Sequence, residues 1–110
     1  MQKSYIEEVT QFLKLVANAN RLLILQILLD GEANVGDLET QLGVSQPALS
    51  QHLARMRQEG ILETRRAGQQ IFYSVRDPRV VAMLKTMKHV FEDQSHLYAD
   101  NSASSRSYTG

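Results

Sequence analysis

The chain contains no cysteine at all, which removes disulfides, thiolate zinc sites and thiol redox chemistry together, so nothing in it asks for an oxidising compartment. Long apolar runs are missing too. Stretches such as Leu22 to Leu25 fall far short of the roughly 20 residues needed to span a bilayer, and Met1-Gln2-Lys3-Ser4 leads into charged positions rather than an apolar secretory segment. A cytoplasmic location is the expectation. There is no glycine-rich phosphate loop and no serine with a plausible base and orienter, so no enzymatic activity is expected.

An excess of charge of either sign is the last thing lacking, since 12 basic side chains balance 12 acidic ones. That balance is awkward for nucleic-acid binding, where lysine and arginine must displace counterions from phosphate. The total hides a segregation. Residues 1–44 carry three basic and six acidic side chains, residues 45–79 six and three, and residues 80–110 three of each. The middle third is net positive by three and all six of its cations are arginine, which suggests one local anion-facing surface.

What is present, in 110 residues of which 43% are apolar, suffices for one domain with one core. Tyr5, Ile6, Val9, Phe12, Leu13 and Val16 recur at helical spacing over residues 4–17. Asn18 can cap the next helix, whose run from Leu22 to Leu29 is apolar nearly all round and reads as a buried hub ending at Asp30-Gly31. Asn34 with Asp37 resembles a capping box for a short helix carrying Val35, Leu38 and Leu42, closed by Gly43. Ser45 is an N-cap and Pro47 is tolerated in the first turn of a helix whose Leu49, Leu53 and Met56 face inward. Residues 61–66 and 70–75 read as strands of a hairpin with Gly68 at its tip. Asp77-Pro78 opens a last helix to about residue 97. Residues 98–110, small and polar, are expected to be a disordered tail behind a single domain over residues 1–97. The fold class expected is mainly α with a β-hairpin: four helices, the hairpin, then a fifth helix.

Two short helices joined by a tight turn form a helix-turn-helix unit. Its second helix offers Gln46, Pro47, Ser50 and Gln51, with Ala54, to solvent. These short or amide side chains suit a major groove, where glutamine can bond adenine bidentately and serine can serve bases or phosphates. Ser45, Arg55 and Arg57 lie where backbone contact is expected. Arg65, Arg66, Gln69 and Gln70 put two cations and two amides on the projecting hairpin, as a wing along the sugar-phosphate backbone requires. The apolar side chains of the last helix, among them Val80, Leu84, Met87 and Phe91, spread over more than one stripe. A second copy of the chain is expected to cover the excess, together with Ile6, Val9, Phe12 and Leu13 of the first helix.

Val35-Gly36-Asp37-Leu38, Leu42 to Leu53 with its Ser-Gln-x-x-Leu-Ser-Gln-His-Leu segment, Gly60 to Arg66 and Ile71 to Val75 resemble the ArsR/SmtB family, closest to its HlyU/BigR/NolR-like branch. The resemblance covers about residues 5–93. It implies a winged helix-turn-helix repressor, dimeric through its first and last helices, that binds inverted repeats in double-stranded operator DNA. One departure is Ala19-Asn20, where many members carry a proline before the arginine at 21. The family's metal and thiol sensors do not carry over residue by residue. Asn34 and Gly36 replace the cysteines before recognition, Arg79, Val90 and Asp93 stand beside Asp77 where zinc ligands would be, and Gln26 and Glu92 match the dithiol positions. No cofactor or metal is therefore expected. Two alternatives stand beside this reading: a winged-helix protein-interaction module, and a metal-responsive repressor using His89, Glu92 and His96, which share a helix face.

Overall fold

Caps and breaks decide where each element starts. In the structure, a computed structural model that describes residues 3–92, α1 (Lys3–Val16) is followed by α2 (Ala19–Asp30), whose N-cap Asn18 accepts a hydrogen bond from the Arg21 amide at 3.1 Å. Next come β1 (Ala33–Asn34) and α3 (Val35–Leu42). The capping box of α3 is complete: the Asp37 amide donates to Asn34 at 2.8 Å and the Asn34 amide to Asp37 at 3.5 Å. Gly43, at φ +67°, closes α3 in the left-handed conformation, which glycine adopts without steric penalty. Ser45 then caps α4 (Gln46–Gln58), with Pro47 in the first turn. The hairpin is β2 (Leu62–Ala67) and β3 (Gln70–Val75), and Asp77 caps α5 (Pro78–Phe91).

The hairpin loop has two residues, one fewer than expected, because Ala67 pairs with Gln70. Gly68 has φ +64° while Gln69 is not at positive φ, the signature of a type II′ turn, whose twist matches that of the flanking strands. The expected order of elements lacked β1. This two-residue strand, too short to show any alternation, pairs Ala33 with Tyr73 and Asn34 with Phe72, making a three-stranded antiparallel sheet in the order β1-β3-β2.

The core gathers Ile24, Leu25 and Leu28 of α2, Leu38 of α3, Leu49, Leu53 and Met56 of α4, and Ile61 and Leu62 under the sheet. α2 is less enclosed than its sequence implies, for Leu22 and Leu23 are exposed. A second correction concerns the dimer residues. Val80 and Leu84, 0% and 8% exposed, are core within one protomer and have little or no surface to give a partner. Periodicity shows that α5 has two apolar stripes but not which one faces its own domain. The outer stripe is Met87, Val90 and Phe91, which is 65% exposed, and on α1 Tyr5, Ile6 and Leu13 are likewise open. Val9 and Phe12 are half-buried. The expected extension of the last helix to residue 97, His96 and the 98–110 tail lie outside the described residues. No single helix among those described is long and apolar enough to cross a membrane.

Candidate nucleic-acid interface

Leu49, Leu53 and Met56 pin one side of α4 into the core, and that fixes which side chains the opposite side can show. Gln46, Pro47, Ser50, Gln51 and Ala54 are all exposed. The face carries amides, a hydroxyl and methyl groups with no acid, so nothing on it repels phosphate. The Ser45 hydroxyl accepts from the Ala48 amide at 3.4 Å, and because Pro47 has no N–H, the Gln46 amide is the helical first-turn donor left without an acceptor in the helix. Arg55 pairs loosely with Glu59 at 3.8 Å, whereas Arg57 has no ion pair among the described residues.

α4 is also anchored at mid-length. Arg21 of α2 donates through Nε to His52 Nδ1 at 3.1 Å and through a terminal nitrogen to the Leu15 carbonyl at 2.8 Å, so one guanidinium joins the end of α1 to the recognition helix. To accept, Nδ1 must be unprotonated. Burial, and then the Arg21 charge, push the His52 pKa below its usual value. His52 is therefore engaged within the protomer, by Arg21.

The wing differs from what its sequence suggests. Arg65 and Arg66 are neighbours in sequence, yet alternation along a strand sends their side chains to opposite faces. Arg66 lies opposite Ile71, on the side shared with Leu62 and Tyr73; it is exposed and carries no ion pair among the described residues. Arg65 lies opposite Phe72 on the other side. Its guanidinium sits 5.0 Å above the Phe72 ring centre, donates through Nε to Glu32 at 3.2 Å and makes a second, short bond to the same carboxylate. These bonds hold the Glu32 pKa below and the Arg65 pKa above their ordinary values. Gln70 is engaged as well, its carbonyl accepting from Asn34 Nδ2 at 3.0 Å. Of the four wing residues expected to meet DNA, Arg66 and Gln69 project without a partner of this kind. Glu32 and Phe72 are not singled out from sequence, and Asn34 reads there as a helix cap, not as the partner of Gln70. Register alone could have matched Phe72 to Arg65, but nothing local signals Glu32.

At the positions where metal ligands were sought, Asp77 accepts both from the Arg79 amide and from its guanidinium, at 2.7 to 3.2 Å. The guanidinium also lies 4.8 Å from the Phe12 ring centre and 3.5 Å from Glu8, so it ties α5 to α1. Asp77, its pKa lowered by these bonds, is the carboxylate of a structural ion pair. No group of three or more His, Asp or Glu able to hold a metal ion occurs among the described residues. In the His89, Glu92 and His96 cluster, Glu92 lies 3.9 Å from Lys88 and His96 is outside the described residues. Gln26, at a dithiol position of the branch, is exposed and lines a cleft of about 420 Å³ with Leu84, Lys85 and Lys88.

Comparison with known proteins fits this geometry. Residues 18–64 match the family model described as bacterial regulatory protein, arsR family. The transcriptional activator HlyU of Vibrio cholerae is 42% identical over 83% of this chain and 83% of its own. The biofilm growth-associated repressor of Xylella fastidiosa is 39% identical over 76% and 74% of the two chains. The solved structure of Vibrio cholerae HlyU superposes with a TM-score of 0.73, covering 83% of this chain and 98% of that one. NolR from Sinorhizobium fredii gives 0.75 at 37% identity, over 83% and 94%.

Proposed function

The chain belongs to the ArsR family of bacterial regulatory proteins and is a DNA-binding transcription regulator; from that premise we propose that it is a homodimeric repressor of an inverted-repeat operator. The observation that carries this reading is the acid-free exposed face of α4, backed by a helix side fixed in the core. Gln46, Pro47, Ser50 and Gln51 read base edges in the major groove. Ser45, Arg55, Arg57, Arg66 and Gln69 hold the sugar-phosphate backbone. Gln70 reaches it only from its bond to Asn34, and Arg65 only once its pair with Glu32 opens. Tyr5, Ile6 and Leu13 of α1 with Met87, Val90 and Phe91 of α5 form the apolar face that a second copy covers.

The relatives are named both as activator and as repressor. Of the two, repression is what the resemblance of the sequence to the family implies. Anisotropy titration of DNA from upstream of the gene against a scrambled duplex of equal length tests the reading, with sedimentation as a second arm. The expected result is a dimer at micromolar concentration that prefers the upstream duplex. Equal affinity for both duplexes, or a stable monomer bound as one copy, overturns it.

A further inference from the structure

The sheet runs β1-β3-β2, and Asn34, Phe72 and Arg65 stand in one row across it. Glu32 is two residues before Asn34, and its bonds to Arg65 place its carboxylate on the same side of the sheet. The following residue, Ala33, is buried and paired with Tyr73, so the backbone presenting Glu32 is held in place. Arg65 reaches over the Phe72 ring to meet this carboxylate through two nitrogens. A carboxylate and a phosphate are both two-oxygen acceptors for the same guanidinium fork. They therefore compete for it.

We propose that Glu32 is a specificity-determining residue of the DNA interface: it stands in for phosphate at Arg65, so that each wing offers DNA one uncommitted cation, Arg66, instead of two. Both members of the pair are solvent-accessible, with side chains 40% and 55% exposed. A surface pair of this kind is weak, so Glu32 damps attraction to DNA rather than blocking it. Phosphate attraction is sequence-independent. Withholding one arginine per protomer lowers binding to random DNA while leaving the base-reading face of α4 untouched. The inference rests on the reading of this protein as a DNA-binding dimer.

The test compares the full-length wild type with Glu32→Gln, Arg65→Gln and the double variant, titrating operator and scrambled duplexes at several salt concentrations. Glu32→Gln frees one arginine per protomer and removes a carboxylate from the interface. Two further phosphates neutralised per dimer steepen the salt slope by up to about 1.8, so its affinity falls by up to about tenfold more than wild type's between 50 and 200 mM salt. At low salt its affinity for scrambled DNA rises and its preference for operator shrinks. Arg65→Gln alone leaves the slope near wild type, and the double variant returns to it. An unchanged slope in Glu32→Gln overturns the proposal. So does uniform weakening on both duplexes, which marks the pair as a brace for the shape of the wing. Wild type without operator preference is a different result, and it removes the DNA-reading proposal itself.

Discussion

α4 and the wing face the same proposed ligand but are built on opposite terms. On the helix, three buried side chains leave the remaining positions free, and every exposed candidate projects as the 3.6-residue period says it must. On the hairpin, a period of two divides adjacent arginines, and residues 33 and 36 positions away in the sequence take up Arg65 and Gln70. A helix face is a local property. A wing surface is set by what the rest of the chain brings to it.

The contrast is broken most forcefully from inside. Leu53→Ala, at a position 1% exposed, should lower stability by about 2 to 5 kcal/mol, whereas Ile71→Ala on the exposed wing should change it by about 0.5 kcal/mol. Urea unfolding of both variants measures the difference. Equal losses would mean that the wing is as deeply integrated as the helix.

Next in size is the division between reading and anchoring. Gln51→Ala should weaken operator binding by about 1 to 3 kcal/mol per half-site and affect scrambled DNA little. Arg66→Ala should weaken both duplexes alike and lower the salt slope by about 0.9 for each phosphate that is no longer neutralised. The opposite assignment, with Arg66→Ala abolishing discrimination, would transfer the reading to the wing and the minor groove.

The turn of the wing comes third. Nothing lies within 4 Å of where a Cβ on Gly68 would be, so the penalty of Gly68→Ala is that of placing a side chain at φ +64°, about 1 to 2 kcal/mol. Differential scanning calorimetry should show a lower Tm, and a wing that loses its shape should lose DNA affinity without losing sequence preference.

The smallest effect concerns His52 and works through pH. Its pKa is lower in the folded protein than the ordinary 6.5, so below that value the unfolded chain binds more protons and stability falls with falling pH. The contribution is complete above pH 6.5 and declines as the pH drops from there through the folded-state pKa. His52→Gln, which cannot protonate, should flatten this part of the stability profile. An identical profile in the variant would assign the acid loss to other groups.

These expectations also mark what sequence can and cannot say. The five helices, the caps at Asn18, Asn34, Ser45 and Asp77, and the outward face of α4 were legible because each depends on residues within about one or two turns of each other. β1 was not, because two residues cannot alternate and its pairing with β3 lies nearly 40 residues away. Nor was the inner stripe of α5, since Val80 and Leu84 differ from Met87 and Phe91 only in which neighbour packs on them. The Arg21 bond to His52 and the Arg65 bond to Glu32 span 31 and 33 residues, and no local pattern announces either.

Asn34 belongs to β1, caps α3 and holds Gln70 at the start of β3, all with one side chain and one stretch of backbone. The helix-turn-helix and the wing are therefore tied to each other through Asn34. In the proposed pair, tolerance for operators with closer or wider half-sites then rests first on the seam between copies. Insertions in the spacer should be accommodated, or refused, chiefly by α1 and α5.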